Sequence, residues 1–161
     1  MPKYRHLTKE ELESLEKEFV EYLIVNGITA DDWESMKHER KEDAEKIVSL
    51  FSDVVFEGIM RKTQFLEYRS KKELKAFQCL ADQIVMMALE GDEHADFTDE
   101  VYVQQSMASP PEGIKIFSAR KAYNKQRELE LFDMIQQGCQ MTDGKIFKAL
   151  SLVYAEIQAK K

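Results

Sequence analysis

Glycine is scarce and never clustered: the six residues stand alone at 27, 58, 91, 113, 138 and 144. They form neither a P-loop nor a dinucleotide fingerprint, which excludes backbone phosphate cradles of those kinds. Cysteine is scarcer, with only Cys79 and Cys139. Two are too few for a disulfide framework and have no neighbours at zinc-ligand spacing. A Gly-x-Ser-x-Gly elbow and the Glu-x-x-His pair of helical di-metal sites are both missing. No apolar run approaches the ~20 residues that span a bilayer, and the polar stretch Met1 to Glu11 lacks the apolar core of a signal peptide. Positive charge is in deficit, with 23 basic against 30 acidic residues and a formal charge of -7. That balance argues against a protein built to coat nucleic acid or an anionic membrane, while leaving room for a local basic patch. The expectation is a soluble, cytoplasmic protein with no implied cofactor and no membrane partner.

What is present points to a folded chain. Of 161 residues, 43% are hydrophobic and 33% charged, and this length buries roughly 70% of the unfolded surface. Thr8-Lys9-Glu10-Glu11 is a capping box that opens a helix running to about Val25, with Gly27 just past its end. Leu12, Leu15, Phe19, Tyr22 and Leu23 form its apolar stripe. Thr29 starts a second helix with Trp33 and Met36 inward, and the charged run Lys37 to Asp43 is a break or bend. Ile47, Val48, Phe51, Val54, Val55 and Ile59 mark a central helix ending near Lys62. Gly58 within it costs ~1 kcal/mol relative to alanine, which suggests a close packing contact.

Phe65–Arg69, Leu74–Cys79 and Ile84–Leu89 read as antiparallel strands joined by turns at Ser70-Lys71-Lys72 and Ala81-Asp82. A helix competes for the second and third, because Ser70-Lys71-Lys72-Glu73 is also a capping box and Leu74, Phe77, Ala81, Ile84 and Ala88 share a helical face. The unbroken run from Ile84 to Leu89 favours a central strand covered on both faces. After an acidic loop, Glu90 to Glu100, Val101 to Val103 reads as a strand and Ile114 to Phe117 as an edge strand. Ser118 then caps a long helix stopped by Gly138, and Thr142 caps a last helix through Ile157, the two forming an αα-hairpin. The expected fold is a single α+β domain over residues 1–161: N-terminal helices, a small central mainly antiparallel sheet and a C-terminal αα-hairpin.

Four segments carry a resemblance: Asn26-Gly27-Ile28-Thr29-Ala30-Asp31-Asp32-Trp33, Phe51-Ser52-Asp53-Val54-Val55-Phe56-Glu57-Gly58, Phe65-Leu66-Glu67-Tyr68 and Phe132-Asp133-Met134-Ile135-Gln136-Gln137-Gly138. Spread in order over nearly the whole chain, they resemble an uncharacterised family of short cytoplasmic Bacteroidetes proteins. That resemblance implies strands between Leu74 and Leu89 and a cytoplasmic setting. It implies no activity.

Three constellations are candidates for chemistry. The strongest is Ile114 to Arg127, which holds Lys115, Arg120, Lys121, Lys125 and Arg127 without one acid, and interleaves Phe117 and Tyr123. Bases stacking between phosphate contacts would use such a pattern; an acidic protein surface would suit it as well, and an ordinary solvated face competes with both. Asp53 and Glu57 lie one helical turn apart and could share a proton or a metal, although Arg61 follows Glu57 at the spacing of a simple ion pair. The acidic loop offers Asp92, Glu93, His94 and Asp96 as oxygen and nitrogen ligands for a hard cation. Phe97 and Val103 occupy the positions where an EF-hand needs its glycine and its bidentate glutamate, so a solvated loop competes. His6, His38 and His94 are expected at the surface, Cys79 in the core. Three functions follow in order: an accessory protein that binds a protein partner, an RNA- or DNA-associated factor using residues 114–127, and a small enzyme with a carboxylate or histidine site.

Overall fold

In the computed structural model, which describes residues 2–160, the chain folds as two compact units that meet in sequence at Arg61 and Lys62. The N-terminal unit is helical: α1 (Lys9–Ser14), α2 (Glu16–Val25), α3 (Ala30–Glu39) and α4 (Lys41–Lys62). The Thr8 capping box forms in both directions, and so does the one at Thr29 with Asp32. The first helix is not continuous as predicted. The Ser14 hydroxyl donates to the Glu11 carbonyl at 2.8 Å and the Leu15 amide is shared between Glu11 and Leu12, so the ladder is interrupted at Leu15. Gly27 takes the left-handed conformation (φ 74°) and Ile28 N–H returns to the Leu23 carbonyl, closing α2 as the sequence indicates. The charged break narrows to Arg40 alone.

Aromatic rings dominate the packing of this unit. Phe19 meets Trp33 edge-on at 5.2 Å and Phe51 at 5.0 Å, and Tyr22 lies 5.4 Å from Phe51. Leu23, Ala44, Phe51, Phe56 and Met60 are the buried apolar residues of its helices. Gly58 departs from expectation: a Cβ there would meet nothing within 4 Å, so no close contact requires glycine.

The C-terminal unit is built on a five-stranded antiparallel sheet in the order β4-β3-β2-β1-β5, from β1 (Phe65–Arg69), β2 (Glu73–Cys79), β3 (Gln83–Glu90), β4 (Lys115–Ala122) and β5 (Gln140–Met141). The strand reading of 65–90 holds. Ser70 Oγ does accept from the Glu73 amide as a helix cap would, but Ser70 N–H bonds the Glu73 carbonyl at 2.8 Å and closes a hairpin. The same side-chain bond serves both structures, hence the ambiguity in the sequence. Successive partners in the register place Phe65, Leu74, Ala76, Val85, Met87, Leu89 and Ile116 on one face. There they form the core with Phe147 and Leu150 of α7 (Lys145–Ala159), Val103 of α5 (Glu100–Ala108) and Ala95 and Phe97 of the acidic loop.

The α+β class stands, with three local differences. Val101 to Val103 is helical in α5, because Asp99 caps the Val101 amide at 3.0 Å and Val103, Ser106 and Met107 recur at helical spacing on the core side. Ser118 does not start a helix but lies inside β4. The backbone of β3 needs a partner along its outer side, and β4 supplies one from Lys115 opposite Glu90 to Ala122 opposite Gln83. The helix begins later as α6 (Arg127–Gln136). Both C-terminal helices are present, with β5 inserted between them and paired to β1. Gly144, not Thr142, is the N-cap of α7, and the Thr142 hydroxyl accepts from the Gly144 amide at 3.2 Å.

Candidate functional site

The basic segment 114–127 is divided by the fold into three kinds of cation. Lys115 and Arg120 stand exposed on β4, and no carboxylate of a described residue lies within ion-pair distance of either. Lys121 reaches the buried Glu130 of α6 at 2.5 Å, and Lys125 pairs with Asp133 of the same helix. Burial alone would raise the Glu130 pKa, but the Lys121 ammonium and the Asn124 and Lys125 amides hold it below the ordinary carboxylate range. Arg127 points inward. Its guanidinium donates to the carbonyls of Leu80 (3.1 Å), Cys79 (3.0 Å) and Thr63, where β2 ends. Tyr123 is anchored as well, its hydroxyl donating to the Leu80 carbonyl at 2.8 Å, and burial together with nearby Cys79 pushes its pKa up to about 12. Tyr123 is therefore engaged as a core tie, not presented as a free stacking platform.

The outer side of β4 is the open edge of the sheet. All eight residues pair with β3 on one side, none is proline or glycine, and all but Ile116 are exposed. Beside this edge, on the face opposite the core, Phe77, Ile84, Met86 and Ala119 line an apolar depression bordered by Arg120 and Lys121, about 410 Å³ including the space open above it. Met86 and Phe77 are each half-buried there. An unpaired row of backbone donors and acceptors beside an apolar socket is the geometry that receives an added strand.

Asp53 and Glu57 are held by the start of the chain. Asp53 accepts from the Lys3 amide (2.8 Å) and the Tyr4 amide (3.1 Å); Glu57 accepts from Lys3 Nζ at 3.1 Å and from the Tyr4 hydroxyl, and pairs with Arg61 at 3.4 Å. Burial raises the Glu57 pKa, yet Tyr4, Lys3 and Arg61 together bring it below its ordinary value. These two carboxylates tie residues 3–4 to α4.

The acidic loop also uses its carboxylates on itself. Asp92 accepts from the His94 amide at 2.9 Å and Asp96 from the amide and hydroxyl of Thr98, while Glu93 and His94 project into solvent. Among the described residues no three His, Cys, Asp or Glu side chains gather where a metal ion would sit. The loop is less solvated than its composition indicates: Ala95 and Phe97 turn into the core, and the Gly91 and Phe97 amides bond the Lys72 and Lys71 carbonyls. His38 sits beside Glu34 and His6 beside Ser49, both exposed. Cys79 is buried and unpaired, and burial pushes its thiol up to about 12; Cys139 is buried too, its pKa raised by the same cause.

The sequence pattern did not reveal a polar cleft in the C-terminal unit, lined by Glu67, Arg69, Thr98, Glu100, Gln140 and Thr142. Arg69 spans it, donating to Glu67 at 3.1 Å and to Glu100 at 2.7 Å. Gln104 and Arg69 lower the Glu100 pKa. Glu67 and Arg69 alternate on the core-facing side of β1, a polar pair where a strand facing a core carries apolar residues; that mismatch was the available signal.

These features define a protein with an antiparallel sheet flanked by helices and one open basic edge. Among the described residues no helix is long and apolar enough to cross a membrane. The chain belongs to a family of unknown function, DUF6495, whose model matches residues 1–155. No curated protein matches it, and no solved structure does.

Proposed function

We propose that this is a non-enzymatic, cytoplasmic accessory protein that docks an acidic, extended segment of a partner protein as an added strand on β4. The observation that carries the reading is the eight-residue uncovered edge, with Lys115 and Arg120 unpaired along it and the Phe77–Met86 depression beside it. Backbone bonds along the edge supply affinity, and alternate side chains of the partner supply specificity. Carboxylates on the incoming strand meet the two free cations, and one apolar side chain enters the depression. Nucleic acid suits the segment less well, since Lys121, Lys125 and Arg127 are already committed to Glu130, Asp133 and backbone carbonyls. Too few free cations are left for the multiple phosphate contacts on which such binding depends. Two buried, unpaired thiols suit a reducing compartment.

The test is a tagged capture from native lysate, with and without nuclease, using the wild type and a Lys115→Glu/Arg120→Glu double variant of equal melting temperature. The expected result is a stoichiometric protein that survives nuclease and is lost from the double variant. Cross-strand contacts from that protein to the β4 amides in NMR spectra would then locate it. Recovery that collapses with nuclease, or a partner retained equally by the double variant, would overturn the reading.

A further inference from the structure

Glu67 and Glu130 are the two carboxylates buried among the described residues. A buried carboxylate needs its oxygens met by donors. Glu130 has both taken, one by the Lys121 ammonium and the other by the Asn124 amide. Glu67 has one. Arg69 Nε (3.2 Å) and Nη2 (3.1 Å) both donate to its Oε2. The side chain is only 9% exposed, yet Oε1 accepts from no described residue and is not sealed from solvent.

That oxygen opens on the polar cleft of the C-terminal unit, which holds about 490 Å³, within the roughly 300–1,000 Å³ range of small-molecule sites. Other groups lining the cleft also have bonding capacity to spare. Arg69 has five N–H bonds; three are used on Glu67 and Glu100, leaving one on each terminal nitrogen. Gln140 stands directly opposite Glu67 in the β1–β5 ladder, so the two side chains share a face. Gln140 is exposed, its amide bound to no described residue. The Thr142 hydroxyl accepts from the Gly144 amide and keeps its own proton to give. Glu67 and Arg69 balance in charge, while Glu100 is 65% exposed and solvated.

We infer that this cleft binds a small, neutral polyhydroxylated molecule, a monosaccharide or cyclic polyol, through two adjacent hydroxyls. One hydroxyl donates to Glu67 Oε1 and its neighbour accepts from the Arg69 guanidinium, while Gln140 and Thr142 bond further hydroxyls. A hydroxyl both donates and accepts, which matches a site that sets a free acceptor beside free donors. An anion would lie against Glu67 and Glu100 and a cation against Arg69, so a single charge of either sign is disfavoured. No aromatic side chain among the described residues lines the cleft, so a flat aromatic ligand has nothing to stack on. The site shares no residue with the β4 edge, and either reading can fail alone.

The probes are D-glucose, D-galactose, D-ribose and myo-inositol, each titrated into the full chain with acetate, methylammonium and glycine as charged comparators. Binding is followed by NMR at the backbone amides of Glu67, Arg69, Gln140 and Thr142 and at the Gln140 side-chain amide. Saturable shifts at these resonances with at least one of the four polyols, and weaker ones with every comparator, are expected. Glu67→Gln, which keeps the size and removes the carboxylate, should weaken that polyol by about tenfold, the worth of one hydrogen bond. Gln140→Trp, which crowds the cleft and leaves the Glu67–Arg69 pair in place, should abolish the shifts even if Glu67→Gln folds poorly. No saturable shift with any of the four polyols, equal affinity in Glu67→Gln, undiminished binding in Gln140→Trp, or a comparator bound as tightly would each overturn the assignment.

Discussion

Arg127 and Lys115 are both cations in one acid-free stretch, yet they do opposite things. Three carbonyls converge on the Arg127 guanidinium, those of Thr63, Cys79 and Leu80, and its side chain is 14% exposed. Removing it strands buried acceptors, and hydrogen bonds to a charged donor are worth more than neutral ones. Arg127→Ala is therefore expected to destabilise the protein by about 2–3 kcal/mol, read from the urea midpoint. Arg127→Lys should recover only part of the loss, because an ammonium lacks the planar fork that reaches several carbonyls at once. Full rescue by lysine would show that charge alone matters. Lys115→Ala, by contrast, should leave the midpoint within about 0.5 kcal/mol, as expected of an exposed, unpaired residue. Nothing in the two residues' sequence neighbourhoods separates these roles, since the carbonyls that Arg127 ties lie 47 to 64 positions away.

At the scale of elements, two glycines make opposed predictions. Gly58 lies inside α4 with open space where a Cβ would go. Gly58→Ala should stabilise by about 0.5–1 kcal/mol through reduced freedom of the unfolded chain. Gly144 caps α7 at φ +83°, and a Cβ there would stand 2.6 Å from the Phe65 ring. Gly144→Ala is expected to cost about 1–3 kcal/mol, from backbone strain plus displacement of a buried aromatic side chain. Thermal melts of the two variants should move in opposite directions; movement in the same direction would contradict the packing described. Local signals located the Thr8 and Thr29 caps and favoured the hairpins of β1, β2 and β3, because a capping box or an alternating run acts over a few residues. They misplaced Ser118. Its hydroxyl can cap a helix, but the unmet backbone of β3, more than two dozen residues earlier in the chain, draws 118–122 into the sheet.

For the whole molecule, the shifted groups bound stability on both sides in pH. Glu11 is pulled from 4.5 to about 2 by Arg5 and by the Thr8 amide, and Glu57, Glu100 and Glu130 are lowered too. A depressed carboxylate contributes stability above its unfolded value and loses it as pH falls through its folded one. The denaturation midpoint should accordingly drop as pH falls from about 4.5 toward 2. Cys79 works in the opposite sense. Its thiol is raised from 9.0 to about 12, so the unfolded chain ionises first and stability is lost as pH climbs through that interval. Cys79→Ala should flatten part of the alkaline decline while leaving the acid limb unchanged; an identical alkaline slope in the variant would assign the decline to other groups, Tyr123 among them.

The sequence by itself determined the helix starts at Thr8 and Thr29, the end of α2 at Gly27 and the α+β class, because each follows from periodicity or from local backbone chemistry; over Leu74 to Leu89 it left strand and helix in competition, and pairing with neighbouring strands decided for the strand. It also determined which residues were candidates. Tertiary structure decided their employment: Asp53 and Glu57 hold Lys3 and Tyr4, Tyr123 and Arg127 tie β2, Asp92 and Asp96 brace their own loop, and Lys115 and Arg120 remain at an open edge. Charge and hydrogen-bonding capacity belong to a residue, but whether they are spent or free depends on groups that the fold brings in from far along the chain.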